Sequence, residues 1–512
     1  MSPRLPRSRS ARRTSRSAAF AAALLLALAG APAAQAAPGS EEFGPLPPHN
    51  PFTGPQGSAT MHGDSGSSDA TPLPGPGDGP LTSTRTALQS ACPTVLVGSD
   101  GYPVALCTPV LGQVPTVHLL DPATGRSLTS LKIAKGSLLG GVYAYLDDQD
   151  RLVAVDGERA LLRIGHRRTA GGDWELYVAR SLSLRDAVPE GDAVTGLSPD
   201  WEGRVWFATG GGTVGAADDA TGTVRSLALP AGEQVANSIS TAPEGTAVST
   251  THATYLLTAG ADGTPRVAWR QAYDRGPARK PGQLSWGTGS TPTFFGPATG
   301  TDYVAYVDNA SPTVSLQVRS TRTGDLVCDR PVLAQGGSGS ENSPIGVGRS
   351  VFVASTYGYP YPKLPDGAGP SVPADARFRG GLSRVDVRAD GSGCDLRWEN
   401  DSRSPDPGHG HHEPAGPVRL RAARPGDGAG GAGAPPGGRL ALRHAPDGRQ
   451  LRAGRRRVPG DDHRRRTDLR AVSRGGGRCR NDHPVTAVHA LVTPPARPAR
   501  SGDAEGGAGG AG

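Results

Sequence analysis

Between residues 91 and 402 short β-rich apolar runs alternate with polar or glycine-containing turns. The runs are YPVALC from Tyr102, RLVAVD from Arg151, RVWFAT from Arg204, TAVSTT from Thr246, YVAYVD from Tyr303 and SVFVAS from Ser350, a period near 50 residues. A second feature keeps the same period: two alternating strands joined by a tight turn. Its turns are Thr124-Gly125, Gly171-Gly172, Thr221-Gly222, Asp262-Gly263, Thr323-Gly324 and Asp390-Gly391. Such residues tolerate the positive φ that a hairpin turn demands. No helical periodicity separates the repeats, which argues against a βαβ arrangement. The pattern predicts an all-β chain, a β-propeller with six recognisable four-stranded blades. The ring is read as truncated from seven or eight blades.

The repeat form LLDPATGRSL, with Asp121 ahead of Thr124-Gly125, resembles that of PQQ-like, quinoprotein-type propellers. Residues 91–402 as a whole resemble uncharacterised secreted propellers of actinobacteria, and the repeats are of a WD40/YVTN-like kind. In the quinoprotein pattern a tryptophan follows the Thr-Gly turn and docks one blade on the next. Trp174, Trp269 and Trp398 occupy comparable places here, with Leu128 or Leu131 in the first repeat. That resemblance implies a quinoprotein dehydrogenase as one possible activity, although no paired-cysteine cofactor motif accompanies it.

The ends of the chain differ from this core. Residues 1–36 open with six arginines, continue into AAFAAALLLALAGAPAA and reach Ala34-Gln35-Ala36, a secretory signal pattern with cleavage after Ala36. The apolar run is shorter than a membrane span and is broken by Pro32, so no transmembrane segment is expected after signal removal. Arg12-Arg13 precede Thr14-Ser15, and the sequence leaves the export route, Sec or Tat, open. Residues 37–90, rich in Pro, Gly and Ser, read as a disordered leader.

Charge follows the same division. The chain carries +7, of which the signal holds +6 and residues 403–512 hold +10, so residues 37–402 carry −9. An acidic core excludes a polyanion-binding role, nucleic acid included. Residues 403–512 have no Phe, Tyr, Trp, Ile, Lys or Met, and 72 of these 110 residues are Gly, Ala, Pro or Arg. That low-complexity composition cannot build blades, and it reads as a disordered tail that a frame shift substituted for the missing ones.

Five cysteines in an exported chain suggest disulfides. Cys92 and Cys107 bracket a hairpin, Cys328 and Cys394 follow equivalent turns, and Cys479 is left over.

Candidate chemistry is sparse. Thr209-Gly210-Gly211-Gly212-Thr213 lacks the lysine and following helix of a phosphate loop and reads as a turn. His409, His411 and His412 fall in the tail, without a frame to fix zinc geometry. His166, beside Arg167 and Arg168, reads as solvated. QVANSIST, with Asn237, and SENSPIGV, with Glu341 and Asn342, each precede an innermost-strand position, and with Asp308 and Asn309 they offer at the channel mouth the oxygen ligands that calcium prefers. They resemble, in residue type alone, the site of calcium-dependent lactonases on six-bladed propellers; such side chains also satisfy loop backbone groups. No GxSxG elbow or HExxH occurs. The expectation is a secreted, monomeric binding or scaffold module for an extracellular ligand or protein. The alternative is a calcium-dependent lactonase or esterase acting at the channel mouth.

Overall fold

A computed structural model of the protein describes residues 44–73, 86–109, 111–136, 143–361, 364–365 and 367–401. The signal pattern, the tail from residue 403, Cys479 and the three clustered histidines lie outside the described residues. The described residues hold six antiparallel sheets of four strands each and no helix. Each sheet takes its strands consecutively from the sequence, so no strand is shared between the beginning and the end of the chain. The architecture is a β-propeller with six blades, spanning 90–132, 145–183, 194–228, 240–272, 293–331 and 345–400.

The periodic runs form the second strand of every blade, from Pro103–Pro109 in the first to Ser350–Ala354 in the last. These strands are buried on both faces, which is why they read as continuous apolar stretches rather than as alternation. The hairpins form the third and fourth strands. Gly125, Gly172, Gly222, Gly263, Gly324 and Gly391 take φ between 69° and 87° in their turns, a region open to glycine at little cost. Fourth strands such as Ser127–Lys132 are largely exposed, as befits the rim.

Apolar cores form between neighbouring blades. Leu96 and Leu119 meet Leu146 and Ile164 between blades 1 and 2. Tyr145 and Val155 meet Leu197 and Phe207 between blades 2 and 3. Trp206 meets Tyr255 between blades 3 and 4, and Trp269 meets Phe294 between blades 4 and 5. Leu316 and Val318 meet Val351 and Val385 between blades 5 and 6. Trp269 also docks across its junction, its indole N–H donating to Thr321 O at 2.8 Å. Two disulfides add cross-links, Cys92–Cys107 inside blade 1 and Cys328–Cys394 between the outermost strands of blades 5 and 6.

Residues 44–73 correct the reading of residues 37–90 as a disordered leader. This segment runs along the axis and touches the innermost strand of every blade. Val97 N donates to Ser58 O at 3.0 Å in blade 1, and Leu146 N to Ala59 O at 2.8 Å in blade 2. Asn50 Nδ2 donates to Pro199 O at 2.9 Å in blade 3. Thr241 N, Phe294 N and Gly346 N, from blades 4, 5 and 6, donate to Ser65 O, Gly66 O and Ser68 O at 2.7, 2.8 and 2.9 Å. Innermost strands are sheet edges whose backbone groups point into the channel unpaired, and the segment pairs them. Small residues are needed for so close an approach. The Gly/Ser-rich composition therefore marks backbone packing here, where apolar content alone suggested disorder.

Candidate functional site

The axial segment divides the channel into two unlike ends. At the exit end, where innermost strands turn into second strands, residues 44–56 fill the space. A Cβ on Gly54 would stand 3.2 Å from Asp147 O, and one on Gly300 would stand 2.3 Å from Leu46 O. At the entry end, where loops lead into innermost strands, polar side chains gather between blades 5, 6 and 2.

Glu341, in the loop before the innermost strand of blade 6, is the centre of this group. Its Oε2 accepts from Leu284 N at 3.0 Å, while Oε1 is buried without a partner. Burial pushes its carboxyl up to about 7, against the opposing pull of the Leu284 N–H and of Arg279. Arg279 is itself 5% exposed and donates to the carbonyls of Gly369 and Gln283, with no carboxylate in ion-pair contact among the described residues. Lys280 donates to Ala310 O, and burial lowers its amine to about 8. Tyr143 and Tyr361 have raised pKa values, chiefly through burial and then through the Glu341 charge. Glu341 and Arg279 feel each other's charge without a direct ion pair, and buried charges held apart in this way cost stability.

The other calcium candidates sit in the same tier of loops. Asp308 follows the second strand of blade 5, accepting from Ala310 N at 3.1 Å, Ser315 N at 2.6 Å and Gln317 Nε2 at 3.3 Å. Its oxygens thus serve the loop, and burial moves its pKa to about 6. Asn309 donates through Nδ2 to Arg275 O and Ala278 O, leaving Oδ1 buried and unpartnered. Asn237 is buried ahead of the innermost strand of blade 4, and Asn342 adjoins Glu341, its carbonyl accepting from Ser290 Oγ. Among the described residues, no group of three or more His, Cys, Asp or Glu side chains is placed to hold a metal ion.

Gly210–Gly212 form the turn between the second and third strands of blade 3. A Cβ on Gly212 would stand 2.2 Å from Glu233 O, and Asp192 accepts from Gly211 N, so the run is fitted to a turn. His166 is not solvated as its sequence neighbours suggested. Its Nε2 lies 2.6 Å from Asp100, and its ring packs near Tyr102 and Trp174.

Sequence reasoning missed His62, Asp64 and Asp69, which stand on the axial segment. The stretch HGDSGSSD, at 62–69, was the available signal: five Asp and Ser side chains able to form Asx or ST turns, interspersed with glycines.

No family model and no curated protein matches the sequence. Among solved structures, the chain is similar to the WD40 domain of coronin from Toxoplasma gondii, at 12% identity over 64% of this chain and 78% of that one, with a TM-score of 0.39. It is also similar to the β-propeller domain of Cps50 (Swd1) from Myceliophteria thermophila, at 13% identity over 46% of this chain and 70% of that one, with a TM-score of 0.31. Likeness at this level concerns fold and carries no activity.

Proposed function

We propose that the protein is a secreted β-propeller that serves as an extracellular binding or scaffold module, taking its ligand at the entry end of the channel. The observation that carries this reading is the asymmetry of the channel. Its exit end is filled by the chain's own residues 44–56, whereas its entry end keeps the free Glu341 Oε1 and Arg279, which among the described residues has no carboxylate in ion-pair contact. A ligand presenting a hydroxyl or ammonium to Glu341 and an acceptor to Arg279 would meet both needs, with Tyr143 and Tyr361 as flanking surface. Export is supported by the signal pattern and by two disulfides, which persist in oxidising compartments. No helix among the described residues is long and apolar enough to cross a membrane.

The test is a thermal-shift screen of the purified chain against hydroxy acids, amino acids and short glycans. Any hit is then titrated against Glu341→Gln and Arg279→Met. Each variant should weaken binding by about tenfold or more, as loss of a charged hydrogen bond does. Hits that bind both variants as tightly as the parent would overturn the entry end as the site. The calcium-dependent lactonase alternative makes a separate demand: calcium must raise the melting temperature.

The frame-shift reading of residues 403–512 is supported by the faces of blades 1 and 6, which among the described residues share no apolar core. Translating the gene's other two frames beyond codon 402 tests it. Strand-rich text with Tyr, Trp and Ile is expected, and its absence from both frames would sink the idea.

A further inference from the structure

The rim of the propeller sets one blade apart. In every blade the fourth strand is a sheet edge, bonded to a neighbour on one side only. Five of these edges carry a β-bulge against the third strand, at Leu128, Ala179, Ala268, Val327 and Arg397, where the register skips one residue. A bulge bends and twists an edge and interrupts its ladder, which blunts it as a template for another strand. Pro265 and Pro331 blunt the edges of blades 4 and 5 further. Among the described residues blade 3 alone has an unbroken outer edge: Thr223–Ala228 pairs along its whole length with Thr213–Asp218, without a skip. This strand, TVRSLA, holds a single charge, on Arg225, and no proline.

The hydrogen-bond alternation fixes which backbone groups face outward. Leu229 N donates to Gly212 O at 2.8 Å, in the same register as the ladder. Residues 223, 225 and 227 therefore bond inward to the third strand, and the N–H and C=O groups of Val224, Ser226 and Ala228 point out of the sheet edge. Arg225 Nη1 rests on one of them, donating to Val224 O at 3.1 Å. Arg225, Ser226 and Ala228 are exposed. An incoming strand must offer outward groups in matching alternation, and a second copy of this edge does so. Set antiparallel about a twofold axis through Ser226, the two edges pair Val224 with Ala228 of the other copy and Ser226 with its own counterpart, each pair exchanging two backbone hydrogen bonds. Arg225 then lies opposite Leu227, so no like charges meet directly. A shift by one residue would set outward groups against residues whose own groups are already used, and a shift by two would set Arg225 against Arg225 or shorten the overlap. We propose that the outer edge of blade 3 is a self-association surface, through which two copies of the chain join their blade 3 sheets into one continuous sheet. The contact is one strand wide, below the roughly 1,200–2,000 Å² of a standard interface, so the pairing is weak, with a Kd on the order of 100 µM. It uses none of the entry-end residues and stands or falls apart from the binding reading.

The experiment is sedimentation equilibrium of the full chain from about 5 µM to about 1 mM, with amide hydrogen exchange followed at both ends of that range. The weight-average mass should rise with concentration towards that of two chains. The amides of Val224, Ser226 and Ala228 should gain protection as it rises, whereas those of Thr223, Arg225 and Leu227 are protected throughout. Ser226→Pro removes a donor from each copy at the twofold and should weaken association about tenfold or more. Ser226→Lys, at an exposed position that tolerates it if the proline variant fails to fold, sets two like charges opposite each other and should weaken association about threefold to tenfold. Val178→Lys, on the bulged edge of blade 2 where Val178 is 47% exposed, should leave association unchanged. Association that both Ser226 variants leave intact, or exchange of the three outward amides that ignores concentration, would overturn the pairing. A chain that stays monomeric at about 1 mM would overturn it as well and leave this edge to a strand of another protein.

Discussion

Five neighbouring pairs of blades in this propeller share an apolar core, and blades 6 and 1, among the described residues, do not. Between blades 1 and 2, and onward to blades 5 and 6, each junction has a single apolar core drawn from both neighbours. Blades 6 and 1 share no apolar cluster among the described residues. Blade 1 keeps Cys92, Ala105, Cys107 and Leu120, with Leu88 packed on them, as a cluster of its own. Blade 6 keeps Ile345, Phe352 and Leu382, with Trp398 packed on them and the Arg384 guanidinium 5.7 Å from the Phe352 ring. The two blades are nonetheless tied to one common element, because Ser58 bonds Val97 and Ser68 bonds Gly346. Ring integrity is thus divided between side-chain burial at five places and backbone hydrogen bonding along the axis. Burial is non-directional and roughly additive in area, whereas an axial segment works only if all its partners are present.

The largest test of this contrast is deletion of residues 44–73. It would leave the innermost-strand N–H groups of blades 4, 5 and 6 unpaired at once, and it should abolish the cooperative unfolding transition, read by urea-induced change in tryptophan fluorescence. Next come matched core truncations. Leu316→Ala, in the shared core of blades 5 and 6, should cost about 2–5 kcal/mol, while Leu382→Ala on the unshared face should cost clearly less, because its site can collapse or admit solvent. Equal losses in denaturant unfolding would show that this face is packed like the others. A smaller difference separates the disulfides. Cys328–Cys394 closes 66 residues and Cys92–Cys107 closes 15, so the double serine variant of the first should lose about 1 kcal/mol more than that of the second.

The smallest expected effect is a pH slope. Burial raises the carboxyls of Asp64 and Glu341 to about 7 in the folded chain, above their unfolded values near 4. The folded state therefore binds more protons across that window, and stability should fall as pH rises from about 4 to about 7. Asp64→Asn combined with Glu341→Gln should flatten the dependence and raise the melting temperature at pH 8 by a few degrees, with little change at pH 4. A slope that persists in the double variant would assign it to other groups.

The sequence showed the blades because their second strands are long, apolar and evenly spaced, and because every hairpin carries a glycine at positive φ. It concealed the innermost strands of blades 2, 4, 5 and 6, which run two or three residues each and are too short for any alternation to register. It also concealed the axial segment. What holds residues 58–68 is main-chain pairing, and composition reports side chains. Glu341 was visible as an oxygen ligand next to an innermost strand, but the meaning of its position came from Arg279, 62 residues earlier, which no spacing rule connects to it. His62, Asp64 and Asp69 were hidden for the same reason as the segment that bears them.

One consequence of the axial segment concerns the order of events. Synthesis begins at the amino terminus, so residues 44–73 emerge before any blade, yet Ser68 waits for Gly346, 278 positions later, to complete its contacts. A segment made before every blade is among the last to settle. Until then it must stay soluble without neighbours, a requirement that serine, glycine and aspartate satisfy and that an oily stretch would not.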